Sequence, residues 1–273
     1  MSSITLSAGV RANLLQLQQT SDLITQTENR LATGKRVVSA LDNANSFFTA
    51  QGLDNRANDL SGLLDSMSNG INTIQAANNG ITSITKLVQS AQALVSQAQQ
   101  ANNTTTQAAL STQFNALLSQ IGQLASDSGF NGVNLLAGTT LTMTLNESGS
   151  STTAVTGVNY TNANNAPLSI ANAANNWAGA SDITAASTAL SAALTTLQSE
   201  SQTLSSSLAM VQTRQDFTKA MISTLQSGSA ALTLADSNQE GANLLALQTR
   251  QQLSSTALSL AAQADQNVLR LFR

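Results

Sequence analysis

Hydrophobic residues recur at every seventh position over long stretches of this chain, and that period leaves few folds open. Leu53, Leu60, Met67, Ile74, Ile81, Val88 and Val95 stand one heptad apart, with Leu63, Ala77, Ile84, Ala91 and Ala98 at companion positions. Together they draw an a/d stripe on one helix face. With 41% hydrophobic residues overall, a chance run of seven has a probability of roughly two in a thousand in one register. The spacing predicts a helix over 46–99, about 80 Å long at 1.5 Å per residue. The second half repeats the device with Ile183, Leu190, Leu197, Leu204, Val211, Leu225 and Leu232, interrupted by one polar residue, Thr218. Asp182 is placed to cap the start of that helix. Two long helices with matching stripes pack as an antiparallel coiled coil. A third helix is predicted over 107–126, after the Asn- and Thr-rich loop at 101–106.

The chain ends carry stripes of their own. Val10, Leu17, Ile24, Leu31 and Val38 are seven apart, with Leu14 beside them. Leu244, Leu247, Leu258, Ala261, Val268 and Phe272 form a similar stripe, broken by Gln251, Ser254 and Asp265. Each buried Leu or Val is worth about 1.5–3 kcal/mol, so such faces call for a partner. The two ends are therefore expected to pair with each other and to self-associate.

Between the long helices the pattern changes. Gly, Asn, Ser and Thr rise, and Leu141 to Leu145 alternate apolar and polar at period two, as a half-buried strand does. Ser148-Gly149-Ser150 is read as a turn, 154–160 as a return strand, and Pro167 and Asn175–Trp177 as loop. The fold class is mainly α: a long antiparallel coiled-coil bundle with paired terminal helices and a small β-containing insertion. The expected organisation is 1–43 with 240–273 as the inner coiled coil, 44–136 with 182–239 as the long-helix bundle, and 137–181 as a polar, solvent-facing outer insertion.

Composition removes most catalytic chemistry. The 273 residues include no Cys and no His, so there is no thiol nucleophile, no imidazole base and no Cys- or His-ligated metal. No cofactor, metal or catalytic residue is expected. The formal net charge is −3, and no Lys or Arg occurs between Lys86 and Arg214. That middle stretch cannot neutralise phosphates, which argues against nucleic acid as a partner. The start lacks a basic segment followed by an apolar run, and no stretch of about 18 apolar residues exists, so neither a cleaved signal nor membrane insertion is expected.

Several longer motifs point to one family. They are RLATGKRVVSALD at 30–42, NGINTIQAANNGI at 69–81, SGFNGVNLL at 128–136, GANLLALQTRQQLSSTALSLA at 241–261 and VLRLF at 268–272. In these motifs and their order the chain resembles bacterial flagellin, most of all the short flagellins of alphaproteobacteria. The likeness spans nearly the whole chain except about 137–180.

The resemblance implies a filament subunit for swimming motility. Its termini would pair as the innermost coiled coil, its long helices would form the next shell, and its middle would project outward. It also implies export in an unfolded state by a type III apparatus with a chaperone, a location outside the cell, and contacts with identical or related subunits, the filament cap and the hook–filament junction proteins. O-glycosylation of exposed hydroxyls such as Ser150, Ser151, Thr152 and Thr153 follows from the same likeness. Two alternatives are a hook–filament junction protein, which shares the terminal pattern, and a secreted coiled-coil adhesin or translocator. The long C-terminal block favours flagellin over the junction protein.

Locally, Gly34 suits the residue that ends the first helix. Arg30, Lys35, Arg36, Asp42, Asp54, Arg56, Asp59 and Asp65 gather charge near that joint, either as ion pairs that set register between subunits or as a solvated face. Phe130-Asn131-Gly132 reads as a tight turn with one anchoring aromatic.

Overall fold

The computed structural model describes residues 8–271. Five α-helices carry the fold: α1 (Ala8–Thr33), α2 (Ala44–Gln100), α3 (Thr104–Asp127), α4 (Ala180–Thr233) and α5 (Ser237–Leu271). Two short strands, β1 (Leu141–Thr144) and β2 (Thr152–Val155), pair antiparallel between α3 and α4. The chain forms two compact units, 1–55 with 224–273 and 56–223.

Most of these helices begin on an Asn or Asp side chain that accepts the free amides of the first turn. Asn43 Oδ1 accepts the Ser46 amide at 3.0 Å, Asn103 Oδ1 the Thr106 amide at 2.9 Å, and Asp236 Oδ1 the Asn238 amide at 2.9 Å. Asp182 does not serve as a cap. It lies inside the first turn of α4, where its Oδ2 accepts from Asn175 Nδ2 at 3.2 Å. Along the helices, Ser and Thr hydroxyls donate to the carbonyl one turn back, as Thr73 does to Asn69 and Thr218 to Arg214, both at 2.9 Å. A chain with 9% charged residues can therefore build long helices from hydroxyl residues without leaving donors unmet.

In the 56–223 unit, α2 and α4 run antiparallel. Ser201 Oγ bonds Asn78 Oδ1 at 2.9 Å and Gln215 Nε2 bonds Ser68 Oγ at 2.9 Å. Leu60, Met67, Ile74, Ile81, Val88 and Val95 of α2 are buried, as are Leu190, Leu197, Leu204 and Val211 of α4. Thr218 takes its turn in the same register and is also buried. Phe114, Leu118 and Ile121 of α3 complete the three-helix core.

The middle of the chain differs from a solvent-facing appendage. Met143, Val155, Tyr160, Leu168, Ile170 and Trp177 all join the same core. The single Trp and single Tyr are both 0% exposed, and the Trp177 ring lies 4.9 Å from that of Phe114. Each large aromatic buries about 150–250 Å², so a chain poor in aromatics gains most by burying the few it has. The return strand also differs, at 152–155 rather than 154–160. Beyond it, Val158 and Tyr160 donate to the carbonyls of Leu135 and Leu136 at 2.7 and 2.8 Å. Close approach decides the seating. A methyl group on Gly122 would overlap the Thr161 carbonyl oxygen, and one on Gly80 would overlap Ser128 and Leu136.

Phe130 is not the anchor of its turn, since it stays more than a third exposed while Leu135 and Leu136 are buried. Phe130 and Val133 exchange backbone bonds at 2.9 and 3.0 Å around Asn131 and Gly132, whose φ values are 48° and 79°. Asn134 then donates its amide to the carbonyls of Ala125 and Ser126 at 2.8 Å, closing the end of α3.

In the other unit, Gly34 follows α1 with φ 66°, a conformation that costs a residue with a Cβ. The segment after it is stitched to the end of α4. Arg36 N bonds Thr233 O at 2.7 Å, and Ala235 N bonds Gly34 O at 3.0 Å.

Candidate assembly surface

The terminal helices pair antiparallel, as the Arg30 Nη1 to Glu240 Oε1 contact at 3.2 Å and the shared cleft of Leu23, Thr27, Leu247 and Arg250 fix. On α1 the seam runs through Val10, Asn13, Leu17, Thr20, Ile24, Thr27 and Leu31, of which Val10, Thr20 and Thr27 are buried and the rest half-buried. On α5 it runs through Leu244, Leu247, Gln251, Ser254, Leu258 and Ala261, all half-buried. Gln251 and Ser254 thus continue the stripe rather than break it. Alternate layers of the α1 seam are polar. Thr20 and Thr27 donate to the carbonyls of Gln16 and Leu23 at 2.8 and 2.9 Å, so burial leaves neither hydroxyl unmet.

Two of the expected seam residues sit elsewhere. Leu14 faces solvent at 41% exposure, one position off the stripe. Val38 is exposed, while Val37 is buried at 3%. The helix ends before Gly34, so the heptad register cannot carry through the turn. Leu53 and Leu232, expected in the long-helix core, are half-buried in the terminal unit, and Leu225 is buried there. Phe272 and the side chain of Val268 lie outside the described residues.

A row of apolar side chains outside the seam was not legible in the heptads. Leu15 and Leu23 on α1 are 57% and 45% exposed, and Leu245, Leu253 and Leu260 on α5 are 67%, 67% and 62% exposed. Leu253 and Leu260 are themselves a heptad apart, a stripe parallel to the seam that a search for the strongest register passes over. Single exposed leucines are ordinary, but five along one helix pair leave apolar surface in water.

Arg30, Asp42 and Arg56, among the charges near the joint, have partners within the chain. Arg30 meets Glu240, which is 7% exposed with its second carboxylate oxygen buried and without a hydrogen bond among the described residues. Asp42 accepts the amides of Val38 and Ser39 at 3.0 and 2.9 Å. Those backbone bonds, Ser39 first, hold its carboxyl below the usual range. Arg56 pairs instead with Glu147 of the insertion. Glu200 on α4 is pushed up by burial, and burial together with the Glu200 charge raises the Tyr160 hydroxyl. Of the expected modification sites, Ser150 and Thr152 are exposed and Ser151 and Thr153 half-buried.

No group of three or more acidic side chains that could hold a metal occurs among the described residues, nor is any helix there long and apolar enough to cross a membrane. The fold is that of a mainly α helical bundle with a small two-stranded insertion. A sequence model of the bacterial flagellin N-terminal helical region matches residues 7–140. Over its whole length the chain is 31% identical to flagellin FljK and 33% identical to flagellin FljN of Caulobacter vibrioides, spanning 99% of each. It is 30% identical to a flagellin of Brucella melitensis, spanning all of it. The chain belongs to the bacterial flagellin family and is of the alphaproteobacterial type. As such it is a structural subunit of the flagellar filament, assembling with related flagellin subunits, and not an enzyme.

Proposed function

We propose that this flagellin joins its neighbours through the terminal helix pair, with Leu15, Leu23, Leu245, Leu253 and Leu260 as the anchors. The observation that carries this reading is the exposure of those leucines after α1 and α5 have already packed on each other. Removing them from water rewards contact with another copy by about 25 cal/mol per Å² of apolar surface. A surface that meets a different patch on the next copy, without closing a ring, extends into an open helical polymer. The inner-coil assignment of 1–43 and 240–273 belongs to the same reading. The test is elongation of filament seeds followed by electron microscopy. The double variant Leu245→Asp, Leu253→Asp is expected to remain a helical monomer by circular dichroism and to leave seeds at their starting length. Elongation at the parental rate would sink the reading. A chain lacking 240–273 is expected to behave likewise.

The subunit reaches its place by secretion, handed by an export chaperone to the export apparatus and folded under the filament cap beyond the hook–filament junction. A chain with no Cys and one Pro has few slow covalent or isomerisation steps to delay folding after passage. The hydroxyls of Ser150 and Thr152 are the best placed for sugars. Intact mass of native filaments equal to that of the bare chain would reject that modification.

A further inference from the structure

Asn-Gly occurs at three places, Asn69-Gly70, Asn79-Gly80 and Asn131-Gly132. All three share the same local chemistry, since Gly offers no Cβ to shield its amide nitrogen from the preceding side chain. Their surroundings differ. The first two lie inside α2, where the glycine amides are held in the helix ladder and a methyl on either glycine would strike Met143 or Ser128. Asn131 and Gly132 are both exposed at the tip of a two-residue turn with φ 48° and 79°. The backbone bonds of that turn use the amides of Phe130 and Val133, and none uses the amide of Gly132.

We propose that Asn131 is a site of spontaneous deamidation by backbone cyclisation. The Gly132 nitrogen gives up its proton to solvent and attacks Cγ of Asn131. A new N–Cγ bond forms, the Cγ–Nδ2 bond breaks, and the leaving nitrogen takes up a proton and departs as ammonia. The five-membered succinimide then adds water at either carbonyl, opening to aspartate or to isoaspartate. One water enters and one ammonia leaves, with no oxidant or reductant.

The product alters the turn. Isoaspartate threads the backbone through the former side chain and adds a methylene to a loop with room for two residues. The exchange between Phe130 and Val133 is lost, and with it the tether of Asn134, which closes the last carbonyls of α3. Each converted subunit also gains a carboxylate.

The test ages the purified full-length folded chain in mildly alkaline buffer and maps its peptides by mass spectrometry, with enzymatic methylation to mark isoaspartate. Conversion at Asn131 is expected to run more than about tenfold faster than at Asn69 or Asn79, because cyclisation within α2 must wait for that helix to open. In denaturant the three rates are expected to converge. Asn131→Gln is expected to remove the early acidic species. The proposal fails if Asn69 or Asn79 converts as fast as Asn131 in the folded chain. It fails equally if Asn131 stays intact over a period in which the denatured chain converts.

Discussion

The core of the 56–223 unit and the seam of the terminal pair are built on the same seven-residue period, yet they pack differently. Met67, Ile74, Val88, Leu190, Leu197 and Val211 are at 0% exposure. Ile24, Leu31, Leu244 and Leu258 stay half-buried, and their layers alternate with Thr, Gln and Ser. The bundle has α3 and the insertion to close its apolar faces. The terminal helices pack on each other, and much of their apolar surface stays exposed among the described residues. A period in the sequence thus specifies a stripe, and the number of elements packed on that stripe sets how far it is buried.

That contrast can be broken at its strongest point first. Trp177→Ala removes the largest buried side chain and is expected to cost about 3–5 kcal/mol, read as a loss of denaturation midpoint. An unchanged midpoint would show that the insertion is dispensable to the bundle. The same Ile→Ala change in the two regions is the next comparison. Ile74→Ala is expected to cost about 2–5 kcal/mol. Ile24→Ala, half-buried, is expected to cost about 1 kcal/mol. Equal losses would erase the distinction. The lone Trp reports the bundle alone, so its fluorescence is expected to hold to higher denaturant than the far-ultraviolet dichroism contributed by α1 and α5. Coincident transitions would mean that the two units unfold together.

Smaller effects sharpen the contrast. Thr20→Val replaces a hydroxyl whose acceptor already belongs to the helix ladder. It is expected to be neutral or to stabilise the terminal pair by under about 1 kcal/mol. A clear loss would mean that the polar layers hold the pair together. One carboxyl group in each region, Glu200 in the bundle and Asp42 in the terminal unit, responds to pH with opposite sign. Burial raises Glu200 in the folded bundle, so the native state binds a proton more tightly than the unfolded chain. Stability then falls as pH rises from the unfolded to the folded value, and Glu200→Gln is expected to stabilise the bundle at neutral pH. Asp42, lowered by backbone bonds, contributes above its unfolded value and loses that contribution as pH falls through the folded one. Urea midpoints against pH for each variant decide both signs.

Much of the fold was legible beforehand. The long stripes and the period-two stretch at 141–145 needed only local spacing to be read, and Gly34 needed only its freedom at positive φ. The burial of the insertion is not legible in the sequence because its apolar residues are scattered. Tyr160, Ile170 and Trp177 have no common period, and what gathers them is the surface they land on. The exposed leucines of α1 and α5 are hidden from the heptads for a related reason, since exposure belongs to the packed pair and not to either helix alone.

The sequence by itself therefore determined the helices, their inward faces and the family, because periodicity, capping and motif order are properties of neighbours along the chain. Only the tertiary structure decided that Val37 rather than Val38 turns inward, that Gln251 and Ser254 lie in the seam, and that a polar-looking middle closes the core. Those outcomes rest on contacts between residues far apart in sequence, where close approach at glycines such as Gly80 and Gly122 and the burial of a few large side chains outweigh local pattern.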